Sequence, residues 1–149
     1  MKNFYLLLVC VTLIFQSCKS DDCGDCFTPP NSFIFEIVEK TSGENVFTNG
    51  TYVPGDIEIT DRLNDNERIE FMFISEDNIN QIQIGSIGWD TEIVNLKVSI
   101  SGHEIFNLYV DAERKMGECC SYTEYNAITI IDAEFELDAE TGIYKILVD

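Results

Sequence analysis

From Phe33 onward, apolar residues recur with a period of two rather than 3.6, which predicts strands and not helices. In the first segment Phe33, Phe35 and Ile37 share one face while Ile34 and Val38 make the other partly apolar, so 33–38 reads as a strand covered on both sides. Shorter strands are expected over 46–48, 56–60, 68–74 and 80–84. The clearest pattern puts Val94, Leu96, Val98 and Ile100 on one side and Asn95, Lys97 and Ser99 on the other, a strand with one wet face. Further strands are expected over 104–110 and 143–148. Between them 125–137 alternates in two phases: Ile128 and Ile130 share one parity, and Ala133, Phe135 and Leu137 the other. A slip of this kind across Ile131-Asp132 marks a bulge or a strand passing between sheets.

Turn chemistry punctuates these segments. Thr41-Ser42-Gly43-Glu44-Asn45, Pro54-Gly55, Ser101-Gly102-His103 and Asp138-Ala139-Glu140-Thr141-Gly142 read as turns, and Asn49-Gly50 as a two-residue hairpin. The run Gly85-Ser86-Ile87-Gly88-Trp89 suggests a bulge or a close backbone approach. The loop 111–120 holds the one predicted helical turn, 111–116. Eight or nine short strands without a long helical period predict an all-β domain, a single antiparallel β-sandwich over 33–149.

The chain ahead of this domain has a different character. Lys2, the apolar run from Leu6 to Phe15 and then Gln16-Ser17-Cys18 form the pattern of a lipoprotein signal peptide over 1–17, with the Cys18 thiol placed to take diacylglycerol. Ser17 and Cys18 fit the cleavage pattern; Phe15 and Gln16 depart from it. The run is about half the ~20 residues that a membrane-spanning helix needs. Residues 18–32 read as a tether, stiffened by Pro29-Pro30.

Lys19-Ser20-Asp21-Asp22 resembles the acidic export tag of Bacteroidota lipoproteins, and the resemblance implies lipid anchorage at the outer face of the outer membrane; a periplasm-facing anchor is the alternative. The segment 33–47 resembles the opening hairpin of small Bacteroidota lipoproteins and, more loosely, of immunoglobulin-like or transthyretin-like accessory domains. That likeness implies a fold class and no activity.

Charge narrows the partners. Cleavage after Ser17 removes Lys2 alone among charged residues, so eight Lys/Arg against 27 Asp/Glu leave the mature chain at −19. Such a surface repels nucleic acid and anionic headgroups. The longest acidic runs are only Asp21-Asp22 and Glu76-Asp77, which fits solvated strand faces rather than an acidic tail.

Candidate chemistry starts with the cysteines. Cys10 leaves with the signal and Cys18 takes lipid, so Cys23, Cys26, Cys119 and Cys120 remain, an even number suited to disulfides in an oxidising compartment. A bond between the adjacent Cys119 and Cys120 is far from ordinary disulfide geometry. Cys23 and Cys26 are therefore each expected to pair with one of the two, in either order. Cys23-Gly24-Asp25-Cys26 has redox spacing but precedes a proline tether instead of opening a helix, and adjacent Cys119 and Cys120 are a poor second half for zinc.

His103 is the single histidine, and no Gly-x-Ser-x-Gly elbow occurs, so a catalytic triad has no obvious members. The loop from Asp61 to Glu67 is the richest in oxygen ligands for calcium, yet Leu63 stands where a ligand is needed. Trp89 could stack on a sugar or peptide, or fill the core.

These features predict a non-catalytic binding or assembly module of the cell envelope, without cofactor or metal, held to the membrane through Cys18 and meeting a protein or glycan. The alternative is a small calcium-binding or carboxylate-dependent hydrolytic domain.

Overall fold

The computed structural model describes residues 24–149, and the expectations for 1–17, Cys18 and Cys23 lie outside the described residues. Ten strands form among the described residues, against the eight or nine expected: β1 (Phe33–Glu39), β2 (Ile57–Asp61), β3 (Glu67–Arg68), β4 (Met72–Ile74), β5 (Gln81–Ile84), β6 (Glu92–Ile100), β7 (His103–Met116), β8 (Ser121–Ile131), β9 (Glu134–Leu137) and β10 (Ile143–Val148). They make two five-stranded sheets, β4-β5-β1-β10-β9 and β3-β2-β6-β7-β8, packed as a β-sandwich. All pairings among these strands are antiparallel except one. β1 and β10 run parallel, from Ile34 opposite Ile143 to Glu39 opposite Val148.

The core follows from the period of two. Phe33, Phe35 and Ile37 of β1, Ile82 and Ile84 of β5 and Ile146 of β10 are buried from one sheet. Ile57 and Ile59, the alternate residues Val94 to Ile100, and Phe106, Leu108, Val110 and Ala112 meet them from the other. The Phe35 ring lies 4.9 Å from that of Phe106 and 5.5 Å from that of Tyr144, which ties β1 to both layers. β1 is central in its sheet, and Val38 on its second face is buried as well. The outer side of β6 is drier than its alternation predicts, because Ser99 is buried and Asn95 and Lys97 are half-buried between β2 and β7.

Four expectations are corrected. The segment 46–48 is a turn: the Asn45 carbonyl accepts the N–H groups of Thr48 and Asn49, and its side chain accepts that of Phe47, so pairing with β1 stops at the isolated Val38–Asn45 bridge and the Val46 N–H bond to the Ile37 carbonyl. For the same reason Asn49-Gly50 closes no two-stranded hairpin. Its side chain accepts the Thr51 N–H at 3.0 Å. The strand expected over 68–74 is two strands in different sheets, since the chain leaves β3 after Arg68 and crosses to enter β4 at Met72.

The helical turn expected at 111–116 is instead the continuation of β7, which pairs as far as Met116 opposite Ser121. A register shift between Asp111 and Ala112 places Ala127 and Tyr125 opposite successive β7 residues and leaves Asn126 over, which masks the alternation. Lys115 bridges Glu113 and Glu124 across this extension.

The turns expected at 41–45, 101–103 and 138–142 form, and the slip expected at 131–132 is present. Ser101 and Gly102 have φ of 52° and 79°, the paired left-handed conformation that joins β6 to β7 with the strands' own twist. The slip at Ile131-Asp132 is a passage between sheets: Asp132, at φ 66°, carries the chain from β8 in one layer to β9 in the other.

Phe35→Ala is expected to cost about 3–5 kcal/mol in urea unfolding, because it empties the contact between layers. Leu63→Ala, on an exposed loop, is expected to change stability by less than about 0.5 kcal/mol. Equal losses at both positions would contradict the assignment of the core.

Candidate functional site

One end of the sandwich collects the features that sequence analysis left separate. The segment leading into β1 is docked on the domain instead of standing off it as a spacer. Cys26 and Cys120 form a disulfide across 94 residues of sequence. Cys119 is disulfide-bonded as well, and because Cys120 is taken by Cys26 no bond joins the adjacent pair.

Arg114 anchors the next residues, its guanidinium donating to the Thr28 carbonyl, the Thr123 hydroxyl and the Ser121 hydroxyl, each at 2.8 Å. The Arg114 N–H also donates to the Thr91 hydroxyl at 3.0 Å. Sequence reasoning missed this arginine, since nothing local distinguishes it from a solvated strand residue.

The close backbone approach expected near 85–89 is at Gly88. A Cβ there would lie 2.7 Å from Thr123 Cγ2, 3.1 Å from the Tyr125 hydroxyl and 3.3 Å from Pro30, and φ is +94°. The Gly88 carbonyl accepts the Thr123 hydroxyl and its N–H donates to Glu92, each at 2.6 Å. Trp89 is half-exposed, donating its indole N–H to the Gly85 carbonyl at 3.0 Å, with its ring 5.8 Å from that of Phe27. It neither fills the core nor lines the main concavity.

That concavity, about 640 Å³, opens between β8 and the β9–β10 hairpin. Its apolar wall is Phe33, Ile34, Tyr125, Ile128, Leu137 and Tyr144, and its polar rim includes Asn31, Ser32, Asp138 and Thr141. The two edge strands leave the Asp132 crossing in different sheets, and the space between them is left without a covering strand. Ile128 and Leu137 consequently stay 40% and 51% exposed although both have inward parity.

Tyr125 packs edge-on against Phe33 at 5.5 Å and its hydroxyl donates to the Asn31 carbonyl at 3.4 Å, so the groove and the docked segment share a wall. Burial raises the phenol pKa of both Tyr125 and Tyr144. The Asp138 carboxylate accepts the N–H groups of Glu140 and Thr141, which lowers its pKa and keeps a fixed negative charge at the mouth.

Other predicted residues lie elsewhere. His103 is exposed at the start of β7. In the loop considered for calcium, Asp61 is buried with one oxygen accepting the N–H groups of Leu63 and Asn95 at 3.0 and 3.1 Å, and Glu67 accepts from Asn64. These carboxylates hold the turn between β2 and β3. No group of three or more His, Cys, Asp or Glu side chains able to hold a metal ion occurs among the described residues. No helix among them is long and apolar enough to cross a membrane.

Compared with protein-family models, curated proteins and solved structures, the chain matches none.

Gly88→Ala is expected to destabilise the fold by about 1–3 kcal/mol, combining overpacking with backbone strain, and thermal melts will read it. A neutral outcome would mean that the Gly88 turn does not pack against Thr123 in this conformation. The tyrosines give a pH dependence of known sign. The folded state holds their protons more tightly than the unfolded chain does, so stability is full below the ordinary value of 10.0 and falls as pH rises from there toward the raised folded values. Phenolate absorbance should show these two tyrosines ionising late in the native protein and normally in urea.

Proposed function

We propose that the chain is a lipid-anchored cell-envelope lipoprotein, displayed at the outer-membrane surface, whose β-sandwich is a binding module without catalytic activity. The groove between β8 and the β9–β10 hairpin carries this reading. It joins aromatic and aliphatic walls to a rim with hydroxyl, amide and carboxylate groups, the mixture that recognises an extended peptide or a glycan. The oxidised state of all three described cysteines supports an oxidising compartment. The signal pattern ending at Cys18 supports the anchor, and the −19 mature charge argues against nucleic acid as the partner.

Binding in the groove would use Ile128 and Leu137 as apolar contacts and the Tyr125 and Tyr144 rings as flat surfaces on which a sugar or side chain rests. Asp138 and Thr141 would orient the polar groups of the ligand. Catalysis would need a paired acid and base facing this space, and Asp138 is the single carboxylate among its lining residues.

Two measurements test the proposal. Cys18→Ala is expected to move the protein from the detergent-extracted membrane fraction to a soluble one; continued detergent dependence would refute the anchor. Panels of oligosaccharides and extended peptides, titrated against the mature protein and its Leu137→Glu variant, are expected to yield a ligand that the variant binds at least about tenfold more weakly, the equivalent of 1.4 kcal/mol. If every ligand bound both proteins equally, the groove would not be the site.

A further inference from the structure

The docked end of the sandwich also carries the most exposed apolar side chains near the tether. Phe27 and Met116 are 79% and 82% exposed, and Trp89 and Tyr122 are 43% and 45% exposed. They belong to one region. The Phe27 and Trp89 rings are in contact, and the Cys26–Cys120 disulfide joins Phe27 to the tip of the β7–β8 hairpin. Met116 and Tyr122 flank that tip, one on each face of the two-stranded ribbon, where the Gly117 N–H donates to the Cys120 carbonyl at 3.0 Å. The bond from the Arg114 N–H to Thr91 ties the Trp89 loop to the same end of β7. Arg114 also fixes the Thr28 carbonyl, so Phe27 is presented on a held backbone rather than a free strand.

We propose that this end rests on the lipid surface, with Phe27, Trp89, Met116 and Tyr122 entering the headgroup region. The inference builds on lipid attachment at Cys18. Only seven residues separate Cys18 from Cys26, and their fully extended reach is roughly 29 Å. The chain therefore enters the domain at the apolar end, which is the part closest to the anchor. A leash this short holds the patch near the surface at an effective concentration on the order of millimolar, so a contact too weak to recruit a soluble protein still orients an anchored one.

The side chains suit that environment. Trp and Tyr favour the boundary between headgroups and hydrocarbon, where the ring is buried and the polar tip stays wet. The strongly negative chain gains nothing from anionic headgroups, so the contact is apolar and the matching surface is zwitterionic.

Trp89 is the single tryptophan, so its fluorescence reports this end alone. The mature acylated protein would be reconstituted into phosphatidylcholine vesicles, with and without bromine on the acyl chains close to the headgroup. The expected result is a blue-shifted Trp89 emission that the brominated lipid quenches. Replacing both Phe27→Asp and Met116→Asp, two exposed positions outside the core, should abolish the quenching while the protein still floats with the vesicles.

Acylated, floating protein with unquenched Trp89 would overturn this inference and leave the anchor intact. Mass spectrometry finding no acyl chain on Cys18 would remove the anchor and the inference together. A blue shift that follows protein concentration and ignores bromine would assign the patch to a second copy of the chain, and overturn lipid contact.

Discussion

The parallel pairing of β1 with β10 is the contact on which the rest of the molecule depends. It joins the first strand of the domain to the last through six residue pairs and makes both central in their sheet, with β5 and β4 on one side and β9 on the other. Without it Phe35 and Ile37 would have no neighbour in Tyr144 and Ile146, and the layer opposite Phe106 would be open. A pairing so distant in sequence is slow to form, because loop closure opposes it before any contact offsets the entropy. The sandwich can complete only after its final strand is available.

The same pairing decides where the N-terminal segment lies. Because β1 begins at Phe33, residues 26–32 must pass over the end at which β10 also begins, and there they meet the Gly88 turn, Arg114 and the β7–β8 hairpin. Two sheets that are joined on one side by the Asp132 crossing cannot close fully at the opposite end of those edge strands. The docked segment fills one part of that opening with Pro30 and Asn31, and the remaining part is the groove walled by Tyr125 and Tyr144. Groove and tether are therefore mechanically linked through Tyr125, Phe33 and Arg114.

Sequence patterning was most informative where apolar residues alternate with polar ones along a strand. β6 and β2 were legible from alternation, as was the passage at Ile131-Asp132 from its change of phase. It failed where the chain satisfies its backbone locally, as at Asn45, or where both parities are polar, as in Glu113, Arg114 and Lys115 at the end of β7. The extra residue at Asn126 also concealed that Tyr125 points inward, so an essential wall of the groove could not be placed. For the cysteines, chemistry excluded a bond between neighbours, but spacing had no means to choose Cys120 over Cys119 for Cys26.

Period, turn residues and charge are local properties, and they were enough to specify an all-β sandwich, several of its turns and a strongly acidic composition. The site is a property of distance in space. Trp89 meets Phe27, Arg114 reaches Thr28, and Tyr125 and Tyr144 line one groove from two sheets, each arrangement bringing together segments far apart in the chain. Such contacts are set by which strands become neighbours, and many strand orders are compatible with one pattern of alternation. Folding selects among them by the total burial each achieves, a quantity that no short stretch of residues contains.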